Sequence, residues 1–234
     1  MSSLIKTTLC VSVIATTASL AHAKMPMFHI GAGVGYSSAK TIFKRNLNIP
    51  NTKNESKSIK TDGTLGQLNI GADYFADNGI YTGLQLSGFL SDISGSKQLK
   101  TPLVLGGRQA LLANKNSIKM KKGFQLDARL GKKVCNFVPH LIVGMAVANW
   151  KATSTYAVQN TTVNRKFSHS KNCPGMVVGA GVDYNLTERF FVRAEYQYTW
   201  YKKLTIHETN QNRSVTTFKP RTSLAMISAG WRFG

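Results

Sequence analysis

Twice within residues 176–204 the chain alternates, for about ten residues at a time, between apolar side chains and small or polar ones. No other feature narrows the possible folds as much. Met176, Val178, Ala180, Val182 and Tyr184 fall on one face of an extended strand, and Val177, Gly179, Gly181 and Asp183 on the other. After the polar stretch 185–189 the alternation restarts. Phe190, Val192, Ala194, Tyr196, Tyr198 and Trp200 then oppose Phe191, Arg193, Glu195, Gln197 and Thr199. Period two on both sides of a tight connection predicts a long antiparallel hairpin. The polarity of the faces says more. One face is aromatic or aliphatic to both ends, while the other carries glycines and charge, which is the apolar-out, polar-in pattern of a strand crossing a membrane in a β-barrel. A two-layer soluble β protein shares the period, so the hairpin alone leaves both open.

The remainder of the chain favours the barrel. Beyond residue 23 no apolar run approaches the ~20 residues of a membrane helix. Residues 1–23 have the form of a cleaved secretory leader: Lys6, an apolar stretch over 9–20, then Ala21-His22-Ala23 as the cleavage site. The mature domain is then 24–234, and Cys10 leaves with the leader. Export makes a disulfide between Cys135 and Cys173 the default, but the strand order below puts them at opposite ends of a barrel. Two free thiols are therefore expected, because bridged Cα atoms must lie within ~7 Å.

Strands are expected at 28–37, 64–75, 80–90, 124–131 and 138–150, at the two halves of the opening hairpin, and at 222–233. In the second, Leu68, Ile70, Ala72 and Tyr74 face out, and Gln67, Asn69, Gly71 and Asp73 face in. Strand 138–150 has an unusually apolar inner face of His140, Ile142, Gly144, Ala146 and Ala148. Asp77-Asn78-Gly79 has hairpin-turn chemistry. Short turns near 77–79, 132–137 and 186–189 alternate with long loops over 40–62, 91–122, 151–173 and 202–221. The middle of 91–122 is apolar enough for strand extensions or a short helix. Long and short connections in alternation mark an all-β, eight-stranded, antiparallel up-and-down transmembrane barrel with long extracellular loops and both termini periplasmic. Two aromatic belts follow: Phe28, Tyr74, Tyr184, Phe190, Trp231 and Phe233 at one edge, and Tyr36, Phe124, Trp150, Tyr198 and Trp200 at the other.

The hairpin GAGVDYNLTERFFVRAEYQYTWY resembles the hallmark hairpin of the opacity-type, OmpA-like family of small outer-membrane proteins. In that family G-x-G-x-(D/E)-Y-x-(L/I)-T is followed by R-x-E-Y-x-Y. The opening FHIGAGVGYS and closing ISAGWRF are similar to its first and last strands. The match covers strands and leaves the loops unmatched. It implies a Gram-negative outer-membrane barrel inserted by the barrel assembly machinery, with surface-antigen or adhesin roles carried by loops. One departure touches the assembly signal, which usually ends on an aromatic residue: here Gly234 follows Phe233.

Charge is distributed in two places. Inward positions collect Asp73, Asp127, Asp183 and Glu195 against Arg129, Arg193 and Arg232, with His140 nearby. In a lumen only wide enough for its own side chains, these should pair into a network that plugs it; a proton or ion path is the alternative, and a diffusion porin is rejected. The four loops hold twenty-two of the thirty Lys and Arg but four of the ten acids, a surplus of +18. Candidate polyanion-binding residues are Lys44, Arg45, Lys53, Lys57 and Lys60 in the first loop, and Lys115, Lys119, Lys121 and Lys122 in the second. Arg165 and Lys166 follow in the third, and Lys202 and Lys203 in the fourth. Such a patch attracts anions through a field that salt screens. The nearest are lipopolysaccharide phosphates, then sulfated host glycans; the leader argues against nucleic acid. A solvated face that keeps loops extended is the plainer reading.

An enzyme acting on outer-membrane lipid is the competing class. Ser168, His169 and Ser170 precede His207 and Glu208 on a neighbouring loop, and HSKNCPG faintly resembles the His-Ser region of lipid A deacylases. Loops hold such geometry poorly, so a non-enzymatic monomer is expected. No Cys/His spacing suggests zinc, His29 and His140 are expected to be isolated, and no cofactor is implied.

Overall fold

A computed structural model of the chain describes residues 26–46, 55–105, 108–158, 164–207 and 215–234. The expected leader, 1–23, lies outside the described residues. Ten strands form one antiparallel sheet: β1 (Met27–Asn46), β2 (Glu55–Phe75), β3 (Ile80–Ser91), β4 (Ser94–Leu105), β5 (Arg108–Lys132), β6 (Phe137–Val158), β7 (Asn164–Asn185), β8 (Phe190–Tyr201), β9 (Leu204–His207) and β10 (Val215–Phe233). The sheet closes because β1 pairs with both β2 and β10. β3 and β4 both pair with β5, and β8 and β9 both pair with β10, so each couple forms one interrupted stave. The result is an eight-stave barrel. At the first interruption the Asp92 carboxylate accepts from Thr64 N at 2.8 Å and Thr64 Oγ1 at 3.1 Å.

Side-chain orientation within the apolar band follows the sequence. Phe28, Ile30, Val34 and Tyr36 are exposed on the outer wall of β1, and His29 is buried inside. The same alternation holds along β3, β5, β7 and β8. At the short-turn end Gly79 takes the left-handed conformation (φ 81°) that an added side chain resists, and Ile80 N donates to Asn78 Oδ1 at 3.0 Å. β1 starts and β10 finishes at this same end, with Phe28 opposite Phe233. Lys133 N donates to Gly79 O at 2.7 Å and Asn185 N to Asn136 O at 2.8 Å, tying neighbouring turns together.

The stretches assigned to loops by composition are mostly strand. Within 91–122, residues 94–105 and 108–122 are strand, which decides between the two alternatives the sequence left open, and pairing continues through 40–46, 55–62, 151–158 and 164–173. β6 has 22 residues; at ~3.3 Å per residue and a ~40° tilt it reaches about 55 Å along the axis, against an apolar band of ~25 Å. About half of the wall therefore stands clear of lipid. Polar residues there face out as well as in, so the hydrophobic period vanishes although the hydrogen-bonded ladder continues.

Candidate functional site

The barrel encloses two stacked layers. The lower one is polar and lies within the membrane band. Arg193 donates from Nε to Asp183 Oδ1 at 2.6 Å and from Nη2 to Asp183 Oδ2 at 2.8 Å, a bidentate pair across β7 and β8. Arg232 joins Asp73 at 2.8 Å, Asp183 at 2.7 Å and Asn185 at 2.5 Å. Arg129 donates to Glu195 at 2.8 Å. The carboxamide oxygen of Gln85 accepts from Arg193 at 2.7 Å, from Arg129, and faces His29 Nε2 at 3.3 Å. Tyr81 donates to Asp73 at 2.8 Å. Phe191 lies beneath two guanidiniums, 4.1 Å from that of Arg232 and 4.8 Å from that of Arg193. Small residues make the room: a β-carbon at Gly230 would stand 2.5 Å from the Phe191 ring.

Six of the seven interior residues singled out from sequence thus meet in one cluster. Asp127 stands apart, accepting from Gln125 at 2.8 Å with its second oxygen unpartnered. The histidines are not isolated. His29 lies 3.2 Å from Asp73, and His140 lies 3.5 Å from Glu195 and 3.7 Å from Asp183. Gln85, Tyr81 and Phe191 were readable as inward residues, but nothing in the sequence marked them as hubs.

Above this layer the lumen is mainly apolar, with Thr41, Thr61 and Thr222 among its buried polar residues. Leu65, Phe89, Ile93, Met120, Trp150, Tyr201 and Met226 form its buried core. Trp150 is 1% exposed and packs edge-on against Tyr201, with ring centroids 5.6 Å apart. Its expected place in the outer aromatic belt is therefore wrong. It shares the parity of Ala146 and Ala148, which face inward. Cys173 is buried in the same layer, while Cys135 is exposed in a turn at the far end.

The rim is basic. Lys60, Lys119, Lys121, Lys122, Lys202 and Lys203 are exposed; the side chains of Lys44, Arg45, Lys53, Lys57, Lys115, Arg165 and Lys166 lie outside the described residues. Lys40 and Arg221, not singled out beforehand, join them on the wall. Lys40 is in register with Lys60 on one side and Arg221 on the other, and Lys119 with Lys151. Like charges directly opposite on neighbouring strands repel, by an amount that salt screens. Of the Ser/His set, Ser170 Oγ donates to Asn149 Oδ1 at 2.9 Å and Ser168 Oγ lies 3.4 Å from Thr153 Oγ1. The side chains of His207 and Glu208 lie outside the described residues. Among the described residues no His, Cys, Asp and Glu cluster has metal-holding geometry.

Residues 7–233 match the family model described as the outer membrane protein beta-barrel domain. The chain belongs to this family. Its barrel is therefore an outer-membrane barrel, and its apolar band is the lipid-facing surface. Similar solved structures include Ail, the attachment invasion locus protein of Yersinia pestis (15% identity, 86% of this chain and 98% of that one, TM-score 0.34). Others are OprG from Pseudomonas aeruginosa (15%, 90% and 97%, TM-score 0.48) and Neisserial surface protein A (14%, 88% and 97%, TM-score 0.35). A comparison with curated proteins found no match.

Proposed function

We propose that this outer-membrane barrel is a non-enzymatic surface protein that binds anionic partners, lipopolysaccharide or sulfated host glycans, at its raised basic rim. The observation that supports this best is the in-register opposition of cations on the wall, Lys60–Lys40–Arg221 and Lys119–Lys151. The plugged lumen supports a structural role for the interior, with the charged network as filling and no ion path through it. The short-turn end, where β1 starts and β10 finishes, faces the periplasm in this reading, as do both termini of the mature chain, and the closed sheet leaves no edge to drive oligomers, which suits a monomer delivered by the barrel assembly machinery.

Ail of Yersinia pestis has been crystallised with the heparin analogue sucrose octasulfate, which makes that compound a convenient small probe here. The test is binding of the refolded mature protein to heparin and to lipopolysaccharide across a salt series. Binding should weaken steeply as salt rises and fall when Lys119, Lys121 and Lys122 become Glu. Indifference to both anions, or affinity that salt leaves unchanged, overturns the reading.

A further inference from the structure

One sector of the outer wall combines the cations with a lipid-facing depression. On β2, β1 and β10, Lys60, Lys40 and Arg221 stand side by side in register, and Arg221 is opposite Trp200 of the outer aromatic belt. Their side chains are exposed, and no ion pair to any of them is found among the described residues. Below them, on the same three strands and β8, lies a groove of about 670 Å³ walled by Val34, Tyr36, Gly66, Ala194, Ala225 and Ile227. The groove exists because three of these residues are small. A β-carbon at Gly66 would meet nothing within 4 Å. From Tyr36 to Lys40 is four residues, ~13 Å of strand and about 10 Å along the membrane normal at a ~40° tilt. That rise is comparable with the ~5–8 Å thickness of one headgroup layer, so the cations stand at headgroup level above a groove at acyl-chain depth. Between groove and cations the outer wall presents Ser38, in register with Asp62 on β2 and Ser223 on β10. Asp62 removes one unit from the sector's charge and, like the two hydroxyls, suits sugar hydroxyls better than a bare phosphodiester.

We propose that this sector is a binding site for one phosphorylated glycolipid of the outer leaflet, with an acyl chain in the Gly66 groove and a phosphate on Lys40, Lys60 and Arg221. This deepens the polyanion reading, on which it rests only for the sign of the charge, and names the partner of one sector. Under the Lys119–Lys151 pair the wall instead presents Phe124, Met145 and Val147, bulky and exposed. Long cationic side chains at this level can lay their stems along the wall and raise their heads to phosphate.

The test uses the full mature protein refolded in detergent, with bound lipid counted by native mass spectrometry. The probes are lipid A carrying both phosphates and the same lipid without them. Saturable uptake of one lipid A is expected. The triple variant Lys40→Gln/Lys60→Gln/Arg221→Gln should bind about a hundredfold more weakly, as three cations at an anionic surface imply. Gly66→Leu, whose β-carbon enters open space in the groove, should bind both lipids about tenfold more weakly and leave heparin binding unchanged. Equal uptake by all variants, or equal uptake of the dephosphorylated lipid, overturns the site. Heparin binding lost with lipid uptake intact would instead sink the soluble-polyanion reading and leave the site standing.

Discussion

Replacing Asp183 with alanine should destabilise the barrel by about 4 kcal/mol, the cost of breaking a buried ion pair by removing one partner. Its carboxylate is fully buried and takes three charged hydrogen bonds, two from Arg193 and one from Arg232. At ~1.5–3 kcal/mol each the three would sum higher, but Arg232 keeps Asp73 and Asn185. Arg193 is left with Gln85 and a distant Glu195 at 3.9 Å. With an m-value of about 2 kcal/mol per molar, the urea midpoint should fall by ~2 M. The assay is urea unfolding in lipid vesicles, followed by tryptophan fluorescence and by the folded band on unheated gels. Asp127→Asn is the internal control. No arginine donates to Asp127 among the described residues, so it should cost under ~1 kcal/mol. Adding Arg193→Met to the Asp183 variant should recover part of the loss, since the stranded charge is then gone. A loss under ~1 kcal/mol for Asp183→Ala, or an equal loss for Asp127→Asn, would refute the reasoning.

Planar bilayers containing the protein should show no steady conductance, because an apolar layer around Trp150 and Tyr201 lies above the charged network; Trp150→Ala should remain closed, and a stable open channel from the unaltered protein would contradict the plug. Brominated lipids should quench Trp200 and Trp231, which are 42% and 48% exposed on the wall, and spare Trp150; single-tryptophan variants read this directly, and strong quenching of Trp150 would return it to the outer face. Gly230→Val should cost about 2–3 kcal/mol by overpacking, because the new side chain meets the Phe191 ring on which Arg193 and Arg232 stack; refolding yield and urea midpoint check it, and an unchanged midpoint would show that the ring can yield.

The parts of this protein that were legible in its sequence are those where lipid enforces a pattern. A lipid-facing residue must be apolar and its neighbours must point into the lumen, so Phe28 to Tyr36, Met176 to Tyr184 and Phe190 to Trp200 reveal both strand and facing. The inward charges were legible for the same reason, since Asp73, Arg129, Asp183, Arg193, Glu195 and Arg232 break an otherwise apolar composition at the correct parity. Trp150 shares the inward parity of Ala146 and Ala148, but its place in the expected outer belt ignores that parity, and the structure buries it.

Tertiary structure decided the rest. Above the apolar band no lipid enforces alternation, so the sequences of β4, the upper half of β5 and the ends of β6 and β7 carry no regular period to read. Backbone pairing extends them all the same. Which inward groups meet depends on closure of the sheet: Gln85 on β3 reaches Arg193 on β8 across the lumen, 108 residues away in sequence. The cation row has the same origin. Lys40, Lys60 and Arg221 are scattered through polar stretches of the chain, and only the register of β2, β1 and β10 sets them beside one another above a groove that Gly66 leaves open.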